Sequence, residues 1–129
     1  MTWSIDGNWA GKIFVRNEEN TEIKKTKKYL FTINNHCGIL IPNKKDIDLG
    51  YARIILEPLF KNASRAYNNE KVGTNQISTL EIKIPIDVDG NYDIKKQKEI
   101  ADNYEEIKRV KNEIKDLFAL LSDVQIELI

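Results

Sequence analysis

The residues best suited to covalent or metal chemistry are few. His36 and Cys37 are the single histidine and the single cysteine, and they are neighbours in the chain. A tetrahedral zinc site needs four ligands, usually as two short-spaced pairs, so one adjacent pair does not make one. Neighbours along a strand point to opposite faces, which also argues against a Cys–His nucleophile pair. The expectation is a Cys37 buried as a small hydrophobe and a His36 at a strand edge. Glu81-Ile82-Lys83 has a spacing that, on a strand, sets a metal-binding carboxylate and a lysine on one face, as a metal-dependent nuclease requires. That arrangement also needs an upstream aspartate, and none lies between Leu49 and Leu80. Glu113-Ile114-Lys115 repeats the spacing inside a helical pattern, where the geometric relation is lost. No phosphate-binding glycine loop occurs, and Gly7-Asn8-Trp9-Ala10-Gly11 matches neither common form. The sequence therefore offers no catalytic set, no cofactor motif and no metal site.

What remains is suited to binding. Lys24-Lys25-Thr26-Lys27-Lys28 puts four lysines into five positions, and with Lys12 it could meet phosphates as readily as solvent. Farther along, Arg65, Asn68, Asn69, Lys71, Asn75 and Gln76 are side chains of the types that read base edges, arginine on guanine and asparagine or glutamine on adenine. They are also ordinary loop residues, and by themselves lean only weakly toward nucleic acid.

The elements that must position these residues follow from periodicity. Lys12-Ile13-Phe14-Val15-Arg16 reads as a strand, after turn residues at Gly7-Asn8 and Gly11. Asn17 to Asn20 reads as a turn. Lys28 to Ile33 and Cys37 to Ile41 read as a strand pair, joined as a hairpin or as one bent strand across Asn34-Asn35-His36. Asp46 or Asp48 is placed to cap a helix carrying Leu49, Ala52, Ile55, Leu56 and Leu59, which Pro58 should kink or end. Residues 61–79 read as a long polar loop, of the size that tends to be functional. Leu80 to Ile86 alternates apolar and polar as a half-buried strand does, and Asp87 to Asp93 is a turn.

Beyond Ile94 there is no proline or glycine, and Ile100, Ile107, Ile114, Leu121 and Leu128 recur every seven residues. Asn103, Val110, Leu117 and Val124 follow three residues after the first four, so eight of nine seam positions are apolar. A continuous helix to Ile129 would be about 54 Å long and would need a partner. The other reading breaks it at Ser122-Asp123 and makes Val124, Ile126 and Leu128 a terminal strand. No internal repeat or low-complexity segment is visible.

Composition bounds the answer. At 129 residues and 15.0 kDa the chain is about one domain, with 41% hydrophobic and 31% charged residues, as expected of a soluble globular protein. There is no apolar run of about 18 residues and no secretory leader pattern after Met1, which argues against a membrane span or export. The lone cysteine fits a reducing compartment, so the Asn62-Ala63-Ser64 sequon is read as accidental. Twenty basic residues balance twenty acidic ones, excluding a polybasic coat. The balance is uneven: residues 1–80 carry twelve basic and eight acidic residues, residues 81–129 eight and twelve. That distribution suits a part that faces DNA and a part that faces protein.

Read in order, four pieces resemble the target-recognition domain of the DNA specificity (S) subunit of type I restriction-modification systems. They are Trp3-Ser4-Ile5-Asp6-Gly7-Asn8 through Ala10-Gly11-Lys12-Ile13-Phe14-Val15-Arg16, then His36-Cys37-Gly38-Ile39-Leu40-Ile41-Pro42, then Ile77 to Pro85, then Gln97-Lys98-Glu99-Ile100-Ala101 opening a long helix. The order of the pieces is more specific than any one of them. The resemblance implies a non-catalytic subunit that reads one half of a bipartite site in double-stranded DNA. Its helix would pair with a second helix, set half-site spacing and dock methyltransferase (M) subunits, with restriction (R) subunits joining the complex. A full subunit of that family carries two recognition domains and two helices. This sequence is similar to the distal portion of one domain with one helix.

The expected fold is α/β (mixed α+β): a small mixed-sheet recognition domain over 1–93, then a long coiled-coil-type helix over 94–129. The expected DNA contacts are Lys12, Lys24, Lys25, Lys28, Arg65, Lys71, Asn75 and Gln76. The expected helix interface is Ile100, Ile107, Val110, Ile114, Leu117 and Leu121. It would serve the methyltransferase or a second copy of this chain. The expected compartment is the cytoplasm, with no cofactor and no membrane partner. Two other readings are a protein-interaction module acting through the helix with little DNA affinity, and a nuclease using Glu81 and Lys83.

Overall fold

The computed structural model describes residues 1–16, 33–66 and 71–124. Its described elements are strands β1 (Thr2–Ser4), β2 (Ile13–Phe14) and β3 (Cys37–Ile39), and helices α1 (Leu49–Arg65), α2 (Thr74–Ile77) and α3 (Ile94–Ser122), with one 3-10 turn at Gly7–Trp9. This is the mixed α/β architecture expected.

β1 is the central strand of an antiparallel sheet ordered β2-β1-β3, pairing Trp3 with Ile13 on one side and with Gly38 on the other. The strands read at 12–16 and 37–41 are present in shortened form, whereas β1 was not read as a strand: three residues are too few to display an alternation. The strand read at 28–33, apart from Ile33, and the turn at 17–20 lie outside the described residues. The β1–β2 connection turns at Gly7 and Gly11, both at positive φ. A Cβ on Gly11 would stand 2.9 Å from the backbone of Phe60 and Lys61, so this turn lies directly on α1.

The main core joins sheet and helix: Met1, Trp3, Ile13, Ala52, Phe60 and Val72 are buried together, with Leu56, Ala63 and Leu80 packed against them. Trp3 meets Phe60 edge to face, ring centroids 5.8 Å apart. Of the two capping candidates, Asp48 caps α1, its Oδ1 accepting from Tyr51 N at 2.8 Å.

Three expectations are corrected. Pro58 neither ends α1 nor marks its last turn, for the helix runs seven residues further. Pro58 itself is exposed, while Phe60 and Ser64 keep the next turn buried. The loop read over 61–79 accordingly contains the end of α1 and the whole of α2. Leu80 to Ile86 is not a strand either. Burial alternates as read, with Leu80, Ile82 and Ile84 half-buried and Glu81 and Lys83 exposed, yet no ladder forms beyond a single bridge between Ile86 and Tyr92. The segment is held instead by the Tyr51 hydroxyl, which donates to the Lys83 carbonyl at 2.8 Å. Burial pushes the Tyr51 phenol up from its ordinary value, keeping it a donor.

α3 starts at Asp93, whose Oδ1 accepts from Lys96 N at 2.8 Å, after a turn with Gly90 at positive φ. Its first turns dock on α1. Gln97 is fully buried: its Nε2 donates to the Asp46 carbonyl at 3.1 Å and its Oε1 accepts from Asp48 N at 2.9 Å. Ala101 packs with Tyr51 and Ile54, and a Cβ on Gly50 would be only 3.8 Å from that of Ala101, so small residues bring the helices close.

The helix ends at Ser122, where the second of the two readings breaks it, rather than continuing to Ile129. Ser122 Oγ donates back to the Ala119 carbonyl at 2.8 Å, and Val124 N turns to the Leu121 carbonyl. The strand read at 124–128 lies, save for Val124, outside the described residues. The 29-residue helix is about 44 Å long. It is not itself acidic, carrying seven basic and six acidic side chains; the acidic excess of the second half lies in the 81–93 segment and after Ser122. No helix among the described residues is long and apolar enough to cross a membrane.

Candidate nucleic-acid interface

Two surfaces collect the residues singled out for DNA contact. The first is built around α2. Trp3 Nε1 donates to the Val72 carbonyl at 2.9 Å, Val72 N donates to the Ile5 carbonyl at 2.6 Å, and Lys71 bridges Asp6 through the backbone. With Val72 fully buried, the chain is fastened just before it rises into α2. Lys71, Thr74, Asn75 and Gln76 then line an open concavity of about 560 Å³. Lys71, Thr74 and Asn75 are exposed, while Gln76 is half-buried and its Oε1 accepts from Gly73 N at 2.9 Å, closing the start of α2. Gln76 thus has its carbonyl engaged in shaping the surface, whereas the Asn75 side chain is exposed.

The second surface is a groove of about 360 Å³ between α1 and α3, lined by Lys12, Arg53, Glu57, Lys61, Arg65, Tyr104 and Lys108 among others. Arg53, Glu57, Lys61 and Arg65 are four residues apart, so they share one face of α1. Glu57 is the hub. Its Oε2 accepts from Ile13 N at 3.1 Å, filling the donor that β2 exposes on its outer edge, and its Oε1 lies 3.1 Å from Lys61 Nζ and 3.4 Å from Lys12 Nζ. Burial pushes its carboxyl up, but the bonds from Ile13 and Lys61 and the charges of Lys12 and Lys61 together outweigh that and hold it below its ordinary value. Glu105 pairs with Arg53 and stands 3.8 Å from Lys108.

The expected contacts therefore divide: Lys12 and Arg65 meet in the groove, while Lys71, Asn75 and Gln76 gather at α2. Lys24, Lys25 and Lys28 lie outside the described residues. Arg53, Lys61, Tyr104 and Lys108 were missed, although the four-residue spacing of charges from Arg53 to Arg65 could have pointed to Arg53 and Lys61. Gln97 was missed as the residue that orients α3; its signal was only a polar side chain on the stripe that continues to Ala101.

The other chemistry-bearing residues are spoken for. His36 is exposed with Nδ1 2.8 Å from Asp6 Oδ2, and Cys37 is half-buried rather than fully buried. Glu81 and Lys83 stand on a segment that forms no strand. Among the described residues, no three His, Cys, Asp or Glu side chains group to hold a metal.

The expected helix interface is apolar and open. Ile100 packs beside α1, but Ile107, Val110, Ile114, Leu117 and Leu121 are all exposed, with Tyr104 and Phe118 widening the stripe.

A family model described as the type I restriction modification DNA specificity domain matches residues 1–117, from before β1 into α3. No curated protein and no solved structure matches the chain.

Proposed function

The chain belongs to the type I restriction-modification DNA specificity family, and from that premise we infer that it reads one half of a bipartite double-stranded DNA site without catalysing a reaction itself. DNA recognition within restriction-modification is the family's role. The finer reading is that residues 1–93 contact the half-site and residues 94–129 form the spacer and interaction helix. The single observation that carries it is the length of the match, which takes in the sheet, α1, α2 and most of α3 together. The exposed Lys71 and Asn75 beside Gln76 support base reading at α2, since an asparagine in a groove can bond an adenine edge in two places. Lys12, Lys24, Lys25, Lys28 and Arg65 are the proposed phosphate contacts. The open apolar stripe on α3 supports pairing with a second helix, in a methyltransferase complex or in another copy of this chain. Methyl transfer and cleavage then belong to the M and R chains in the cytoplasm.

Fluorescence anisotropy on a randomised duplex pool, repeated across salt concentrations, tests this reading. Binding should fall steeply as salt rises, because neutralised phosphates release counterions. Rounds of selection should enrich one short asymmetric motif. Absence of salt-sensitive binding, by the chain alone and in its methyltransferase complex, overturns the reading.

A further inference from the structure

We propose that the groove between α1 and α3 is a clamp for the DNA phosphate backbone, so that the recognition part and the long helix hold the duplex jointly. The proposal rests on the DNA-binding reading and adds to it a site that the α2 surface does not contain.

Its ground is the composition of the groove. Lys12, Arg53, Lys61, Arg65 and Lys108 bring five cations to its walls, and the carboxylates of Glu57 and Glu105 answer only part of that charge. Glu57 is also turned partly away from the groove's own needs, since one oxygen is occupied by Ile13 N. Excess positive charge confined between two helices concentrates the potential there, and a phosphodiester is the anion a DNA-binding chain offers to it. The cations come from both walls: Lys61 and Arg65 from the end of α1, Lys108 from α3, with the Tyr104 hydroxyl available as a neutral donor beside it. α3 is pinned at Gln97 to Asp46 and Asp48, which lead into α1, and at Ala101 to α1 itself, one to three turns before Tyr104 and Lys108, so the two walls keep a fixed relation. Neighbouring phosphates of one strand seated there touch both the recognition part and the helix.

The test compares two double variants of the full chain. Arg65→Gln with Lys108→Gln removes one cation from each wall. Lys45→Gln with Lys95→Gln removes the same charge from exposed positions outside the groove. Melting temperatures check that both variants fold. On the duplex pool, the plot of log affinity against log salt should become shallower by about 0.9 for each lost phosphate contact, about 1.8 for the groove pair. The control pair should leave the slope unchanged, and neither pair should alter the motif that selection enriches. Equal loss in both pairs, or an unchanged slope in the groove pair while the parent chain binds, overturns the clamp and leaves the DNA reading standing. A parent chain without salt-sensitive binding removes both.

Discussion

At Gly38 a hydrogen is the only side chain the fold admits. The Trp3 ring lies across this residue from the paired strand, and a Cβ built there would stand 2.1 Å from Cη2 and 2.3 Å from Cζ2 and Cζ3. Trp3 cannot yield easily. Its N–H holds Val72, its edge meets Phe60, and it is 4% exposed. Gly38→Ala should therefore overpack the sheet and cost about 1–3 kcal/mol, read as a lower urea midpoint with an unchanged slope. Because Trp3 also fastens the chain at Val72, beside Lys71, the same variant should loosen the α2 surface. Faster amide exchange over 71–77 than in the parent would register that; equal midpoints would show that Trp3 has room the packing denies. The sequence showed the glycine inside a recognisable strand, and it could not show which ring lay over it.

Among the elements, α3 carries the clearest division of labour. Its first two turns spend their apolar and small residues on α1, whereas every residue from Asp102 to Val124 is exposed. Leu117 is 59% exposed and Leu121 66%, so neither contributes much to the fold of a single chain. Leu117→Asp should leave the melting temperature at low concentration unchanged while abolishing any self-association or methyltransferase capture seen by light scattering. A variant with the parent's oligomeric state and partner binding would remove the seam from the interface. The heptad pattern was legible from the sequence because it repeats for several turns. Its end at Ser122 was legible only as one of two readings, a break at Ser122-Asp123 against a helix to Ile129, because a serine side chain bonding back to the Ala119 carbonyl is a local geometric choice. Pro58 misled in the other direction: the penalty of proline in a helix is real, and burial of Phe60 and Ser64 beyond it outweighs the penalty.

Across the whole molecule, sheet and α1 are joined through Glu57, and that junction makes stability depend on pH. Its carboxyl is held below the ordinary value of 4.5 in the folded chain, so the unfolded chain binds the proton more readily. The stabilisation is complete above about 4.5 and is lost as pH falls through the depressed folded value. Glu57→Gln should be less stable near neutrality by about 1 kcal/mol. Its loss on acidification should be smaller than the parent's, so chemical melts at several pH values should show the two curves converging in acid. Parallel curves would exclude Glu57 as a contributor.

By itself the sequence determined the class of fold, the heptad face of α3 and the family, because periodicity, residue type and motif order are properties of the chain alone. It also carried the alternating burial of Leu80 to Ile84. Only the tertiary structure decided that this segment finds no strand partner, that Lys12 and Arg65 share a groove with Lys61 and Lys108, and that Lys71 and Asn75 stand apart from them. Those outcomes depend on which distant groups satisfy one another: Tyr51 with Lys83, Gln97 with Asp46 and Asp48, Glu57 with Ile13. Hydrogen-bond partners 32 to 51 residues apart leave no periodic trace in a sequence, since each is fixed by the packing of two elements and not by the spacing within one.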